Sequence, residues 1–352
     1  MRHSSSLIAA ATAALAAIGA AAAETPTPRF PGATTTVAVE RASGRVVVAT
    51  DGVVRVLDSV DAGEPSSTFE LPNAAARLLD FRGNVVSFTF KLPREEAWQF
   101  MAVGTDGLER LLWPNDGIGA HFPTAESRLT GDGRGLLGVL ELDGEVRREL
   151  GVPAEAPDGA GVVVTYSFTT ERMLIRFSEA FHDALALACD DLLISWRNGS
   201  MIRYRSPGGV EWKRDRVTGE KPRILDVEPV AGTALLLDET GTLAAVDVGS
   251  GEKKWGRPAG GAAVRDARVL RDGRVLLLLA DPESPLAVFD PDEPKAAPRP
   301  LAELLEPQGL SAVAVYAASG SETLTGVREV TPTSGTRLLL RGPTGWHLAK
   351  LP

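Results

Sequence analysis

The stretch Gly241-Thr-Leu-Ala-Ala-Val-Asp-Val-Gly-Ser-Gly-Glu-Lys-Lys-Trp255 reads as one complete turn-strand-turn-strand unit. Gly241 suits a tight hairpin turn, and Leu243, Ala245 and Asp247 alternate with outward neighbours. Gly249 and Gly251 allow positive φ at the next turn, and Trp255 ends the outer strand. A second copy runs from Gly199 to Trp212, one residue shorter, so two tryptophans end neighbouring units 43 residues apart.

Hairpin-type junctions recur along the chain at Asp51-Gly52, Asp106-Gly107, Asp143-Gly144, Asn198-Gly199, Thr240-Gly241, Ser284-Pro285 and Thr344-Gly345. Their mean spacing of about 49 residues matches a four-stranded propeller blade. A β-rich run precedes each junction, for example Trp98–Val103, Leu192–Trp196 and Arg274–Leu279, and an alternating strand follows. A parallel α/β sheet would need amphipathic helices between strands, and Leu301–Glu306 is the best helical candidate. The expected fold is therefore an all-β propeller of four-stranded antiparallel blades, with seven blades favoured over six or eight. Residues 34–352 would form it as one domain. A propeller must join its first and last blades, and Thr34–Val39 lies at the right place to share a blade with the C-terminal strands.

The unit at 241–255 resembles the repeat of the pyrroloquinoline-quinone-like, WD-like β-propellers, with Ser250 where that repeat has Thr. The likeness is strongest over 191–257. It implies structural roles for Gly199, Trp212, Gly241, Asp247, Gly251 and Trp255. It also implies that the tryptophans dock between blades, each indole N–H finding a backbone carbonyl. Elsewhere the repeat decays: Trp113 follows Gly107 too soon, and Phe69 stands in after Gly52. Quinoprotein dehydrogenases share the repeat but carry vicinal cysteines, calcium ligands and more blades, which this chain lacks.

Met1-Arg2-His3, the Ala-rich run Leu7–Gly19 and Ala21-Ala22-Ala23 read as an export signal cleaved after Ala23, followed by a Pro-rich linker over 24–33. Cleavage would leave 36 Lys and Arg against 46 Asp and Glu, a net charge of −10, since the leader holds Arg2 and no carboxylate. That balance argues against a global attraction to nucleic acid or anionic lipid. Cys189 is the one cysteine, which excludes an internal disulfide and reads as a small core residue.

Chemistry-bearing motifs are sparse. His121, His182 and His347 are scattered without metal-ligand spacing, and Gly131-Asp-Gly-Arg-Gly135 lacks the lysine and helix of a phosphate loop. Asn198-Gly-Ser200 matches a glycosylation sequon, but Asn-Gly is also the preferred type I′ pair. The carboxylates at Asp281–Glu283 and Asp290–Glu293 read as solvated loop charges.

The sequence thus points to no catalytic residue, no cofactor and no metal. The expected protein is a monomeric, periplasmic or secreted bacterial propeller that scaffolds other proteins, with no transmembrane segment once the leader is removed. The outer-membrane assembly propellers are the nearest functional analogy. The alternative is a hydrolase, a lyase or a quinoprotein-type dehydrogenase with a site in the central funnel. Lys213, Arg214, Arg216, Lys221 and Arg223 would gather near Asn198 and the Asp290–Pro307 connection, a basic surface for an acidic protein partner.

Overall fold

The computed structural model describes residues 26–71, 76–91, 98–113, 128–142, 144, 147–148, 160–170, 173–178, 181–258, 263–293, 296–319, 323–330 and 335–352. The segment expected to be an export signal, His121 and Asp143 lie outside the described residues.

The described strands form seven four-stranded antiparallel sheets, six from consecutive strands and one that joins the two ends of the chain. Blade 1 comprises Thr36–Val39, Val46–Thr50, Val53–Leu57 and Ser67–Glu70. Blade 2 follows with Arg77–Arg82, Val85–Lys91, Trp98–Gly104 and Glu109–Trp113, and blade 3 with Arg128–Leu129, Gly135–Glu141, Gly161–Ser167 and Met173–Ser178. Blade 4 comprises Phe181–Ala188, Asp191–Trp196, Met201–Arg205 and Gly209–Arg214; blade 5 comprises Arg223–Glu228, Thr233–Leu237, Thr242–Asp247 and Lys253–Pro258. Blade 6 holds Val264–Val269, Val275–Leu279, Leu286–Phe289 and Arg299–Pro300. In blade 7, Val327–Val330, Arg337–Gly342 and Gly345–Lys350 are completed by Phe30–Pro31 as the outermost strand.

Second strands such as Thr233–Leu237 are buried along their whole length because a neighbouring blade covers each face, which is why they read as continuous apolar runs. Side chains from adjacent blades pool into shared clusters: Leu235, Leu237 and Leu243 of blade 5 pack with Val269, Leu277 and Phe289 of blade 6. The contribution of each seam follows the apolar area it removes from water.

The closing strand differs from the expected one. Thr36–Val39 is the innermost strand of blade 1, and ring closure falls to Phe30 and Pro31, which pair with Trp346 and Gly345. The closing strand therefore comes from the stretch read as linker. A two-residue strand has almost no alternating pattern to read. Arg29 fixes its approach by donating to the carbonyls of Val60 and Ala62, both at 2.7 Å.

Two junctions also differ. Asp106-Gly107 joins the third and outermost strands of blade 2, so Trp98–Val103 belongs to the third strand rather than the second. The true second strand, Val85–Lys91, alternates apolar and polar residues and is followed by a connection without glycine, so it gave no junction signal. The Asn198-Gly199 turn is not type I′, because Gly199 has φ +82° while Asn198 is absent from the positive-φ residues. Gly199 N–H bonds to Trp196 O at 3.0 Å and Trp196 N–H to Ser200 O at 2.9 Å, a type I turn closed by a glycine bulge. The Asn198 Oδ1 accepts the Ser200 N–H at 3.0 Å, which fixes that geometry from the side chain.

The longest described helical segments lie between blades 6 and 7. Leu301–Leu304 (α1) and Ser311–Ala318 (α2) flank a 3-10 turn at Glu306–Gln308 and bury Leu301, Leu304, Val313 and Ala314 against both blades. The Ala-rich α2 has no polar face and no side-chain cap, so it carried no amphipathic signature.

Candidate functional site: the central channel and the blade 4–5 rim

Four innermost strands share one irregularity. Their pairing with the second strand slips by one residue just before an aspartate, at Asp80, Asp183, Asp226 and Asp266. A bulge re-aims the following side chain, and here the carboxylates reach backbone N–H groups. Asp80, Asp183 and Asp266 each accept the N–H of the next residue at 2.8–2.9 Å. Their neighbours are stitched the same way: Asp183 accepts Ile224 N–H of blade 5 at 2.7 Å, and Asp226 accepts Val269 N–H of blade 6 at 3.0 Å. Asp266 accepts Leu324 N–H, ahead of blade 7, at 2.8 Å. Each aspartate thus satisfies donors that would otherwise face the channel unpaired.

Arg41, in the first turn of blade 1, reaches across the channel. Its guanidinium bonds both oxygens of Asp226 in blade 5 at 2.8 and 3.0 Å, Glu329 of blade 7 at 3.1 Å, and the Val269 carbonyl of blade 6. Burial opposes its charge, but Asp226 and Glu329 outweigh that and hold its pKa above the ordinary value. Burial raises the carboxyl of Glu329 above its usual range despite Arg41, and burial likewise raises that of Asp266.

Around these groups lies a cavity of about 1020 Å³. It runs from the turns at Arg41–Ala42, Gly131–Asp132 and Pro229–Gly232 to Thr323–Thr325. Arg268 and Arg328 line it beside the acids. The acidic oxygens of Asp226, Asp266 and Glu329 are each engaged in bonds that tie neighbouring segments together. None of these residues stood out in the sequence, yet a short signal exists in four of the innermost strands: an aspartate followed by Phe, Ala or Val, as in Asp80-Phe81, Asp183-Ala184, Asp226-Val227 and Asp266-Ala267.

The predicted basic residues lie on the rim between blades 4 and 5. Val217 N–H bonds to Gly199 O and Lys221 N–H to Arg197 O, both at 2.9 Å, so the connection after Trp212 lies against the Asn198 turn. Lys213, Arg214, Arg216, Lys221 and Arg223 are all exposed there. Their charge is partly compensated: Lys213 stands 3.5 Å from Asp215, and Lys221 is 3.0 Å from Glu239. Arg214 donates to Ser250 O at 2.6 Å, and Lys213 lies 4.7 Å from the centre of the Trp196 ring. The Asp290–Pro307 connection does not join them, because 290–298 links the third and outermost strands of blade 6, at the opposite end of the strands from the Asn198 turn.

The repeat residues divide. Trp212 is buried at the blade 4–5 seam and its Nε1–H donates to Val248 O at 3.0 Å, as the resemblance implied. Trp255 is only half-buried and meets Phe289 of blade 6 edge-on at 5.6 Å. Asp247 closes its own turn by accepting Ser250 N–H at 2.8 Å, while Gly241 and Gly251 adopt φ +80° and +73°. Trp346 plays the seam role between blades 7 and 1, donating to Thr35 O at 2.9 Å. Phe69 packs with blade 2 side chains as expected.

Cys189 is half-buried with its thiol pushed up to about 11 by burial, in keeping with a structural residue. Burial also lowers the pKa values of His182 and His347. Among the described residues, no group of three or more His, Cys, Asp or Glu is arranged to hold a metal ion. No helix among them is long and apolar enough to cross a membrane.

No protein-family model matches the chain, so the resemblance of 191–257 to the quinone-type repeat has no family match behind it. No curated protein matches either. Among solved structures the chain is similar to BamB from Moraxella catarrhalis, at 11% identity over 91% of this chain and 85% of that one, with a TM-score of 0.43. It is also similar to the β-propeller domain of Cps50 (Swd1) from Myceliophteria thermophila, at 9% identity over 76% of this chain and 85% of that one, with a TM-score of 0.48.

Proposed function

We propose that this propeller is an exported, non-catalytic scaffold of the bacterial cell envelope that binds an acidic segment of a protein partner on the blade 4–5 rim. The observation that carries this reading is the docking of the 213–223 connection onto the Asn198 turn, which gathers five basic side chains on one edge of a chain with net charge −9. A local reversal of field on an acidic protein steers an acidic partner and orients its encounter. The engagement of Asp226, Asp266 and Glu329 in holding the blades together supports a binding role over a hydrolytic one in the channel.

The test is capture from envelope extract by the tagged protein and by its Lys213→Glu, Arg214→Glu, Arg216→Glu variant. The variant should fold normally and lose most of the captured partner, with a larger loss at low salt than at high. Equal capture by both proteins at every salt concentration would refute the rim as the binding surface.

A further inference from the structure

Two arginines in the channel are held together on one backbone carbonyl, with acids near them but no described carboxylate in direct ion-pair contact. Arg268, in the innermost strand of blade 6, donates Nη1–H to Val327 O at 3.1 Å. Arg328, in the innermost strand of blade 7, donates Nη1–H to the same oxygen at 3.0 Å and to Leu324 O at 3.0 Å. Two nitrogens sharing one acceptor at those distances lie within about 6 Å of each other, and both side chains line the cavity.

The carboxylates nearby are committed elsewhere. Glu329 takes Arg41 and the Arg271 N–H, Asp266 takes the Ala267 and Leu324 N–H groups, and Asp226 takes Arg41 and the Val269 N–H. No ion pair within 4.0 Å joins Arg268 or Arg328 to a described carboxylate. The Arg328 guanidinium pKa is depressed to about 10, by burial first and by Arg268 second. Asp80 acts in the opposite direction without cancelling that depression. Desolvated charge of this kind is costly unless a counter-charge arrives.

We infer that Arg268 and Arg328 form a binding site in the channel for a polyvalent oxyanion of the phosphate type, free or as the terminal group of a phosphate ester. Guanidinium groups present planar forks that match phosphate oxygens two at a time. With Nη1 of each side chain anchored on a backbone carbonyl, the remaining N–H groups of both forks serve the ligand from adjacent blades. A cavity of about 1020 Å³ leaves room for the ester's organic part. This site is separate from the rim proposed above, and neither depends on the other.

The experiment measures phosphorus-31 line broadening and melting temperature of the full chain with inorganic phosphate and, separately, with O-phosphoserine, against chloride at matched ionic strength. Saturable broadening and a rise of several degrees are expected, with sulfate competing. Stronger binding of phosphoserine would identify an ester as the ligand, and equal or weaker binding would identify free phosphate. Arg268→Gln and Arg328→Gln should each reduce the affinity at least tenfold, while Arg216→Gln on the rim should not change it. Should either channel variant fail to fold, the wild-type broadening and its competition by sulfate still decide. Absence of saturable broadening in the wild type, or unchanged affinity in folded channel variants, would overturn the site.

Discussion

A Cβ placed on Gly251 would lie 2.7 Å from ring carbons of Trp212, which belongs to the preceding blade. The turn at Asp247–Gly251 therefore closes on a glycine for two reasons: φ is +73°, and the indole of the neighbouring blade occupies the space a side chain would need. The repeat is thus a packing code across the seam as well as a turn code within a blade.

Gly251→Ala should lower stability by about 2–4 kcal/mol, combining left-handed strain with displacement of the ring. Trp212→Ala should cost about 3–5 kcal/mol, as for a large aromatic removed from a core. Trp255→Ala should cost less, about 1–3 kcal/mol, because its half-buried ring has less contact to lose. Urea unfolding of the three variants checks the order. A Trp255 variant less stable than the Trp212 variant would show that exposure misjudges these seams.

The architecture was legible where a blade advertises itself twice, by a glycine turn and by an apolar run, as over Leu192–Trp212 and Thr233–Trp255. It was less legible where one signal is missing. Blade 2 turns after Lys91 without glycine, and the closing strand is two residues long. The channel was hidden for a different reason. Asp183 and Asp226 lie 43 residues apart in the chain, and their common role depends on a one-residue bulge that no hydrophobic period records. Arg41 could not be read at all, since its partners Asp226 and Glu329 are brought to it only by closure of the ring.

Arg41→Met keeps the length of the side chain but leaves Asp226 and Glu329 facing the channel without their cation. Removing one member of a buried ionic network costs about 3–5 kcal/mol. The double variant Arg41→Met, Glu329→Gln should recover part of that loss, because the more strongly desolvated carboxyl is then neutral. Thermal unfolding of both variants measures this, and a double variant no more stable than the single one would show that the two groups are not coupled.

Acidification should separate two aspartates that look alike in sequence. Burial opposes the Asp191 charge, but its bonds to Arg203 and Arg205 prevail and hold its pKa below the usual value. Its stabilising contribution is present above the unfolded pKa of about 3.9 and is lost as the pH falls through the lower folded value. Asp266 behaves oppositely: burial raises its pKa, so its ionised form weakens the fold above the folded value. Asp191→Asn should therefore cost about 2 kcal/mol at pH 7. Asp266→Asn should leave stability unchanged or higher at pH 7. Both differences from the wild type should shrink as the pH is lowered toward 3. A destabilised Asp266 variant at pH 7 would mean that its N–H contacts outweigh the burial of its charge.

Closure of the ring rests on Phe30 and Pro31, and this can be tested directly. Phe30 is buried among Val37, Val39, Leu339 and Trp346, and Gly32 N–H bonds to Thr344 O at 2.9 Å. Cleavage after Ala23, as the sequence leads one to expect, would leave Phe30 seven residues inside the mature chain and the closing strand whole. A chain beginning at Thr34 would lack it. The strand Gly345–Lys350 would then become an open edge whose unpaired N–H and C=O groups template pairing with another copy. The shortened protein should melt several degrees lower and show concentration-dependent association by light scattering, whereas a chain beginning at Glu24 should do neither. Adding a synthetic peptide spanning residues 26–33 should restore part of the lost melting temperature by occupying the edge. A chain beginning at Thr34 that matches the longer one in melting temperature and in size would show that the ring closes without this strand.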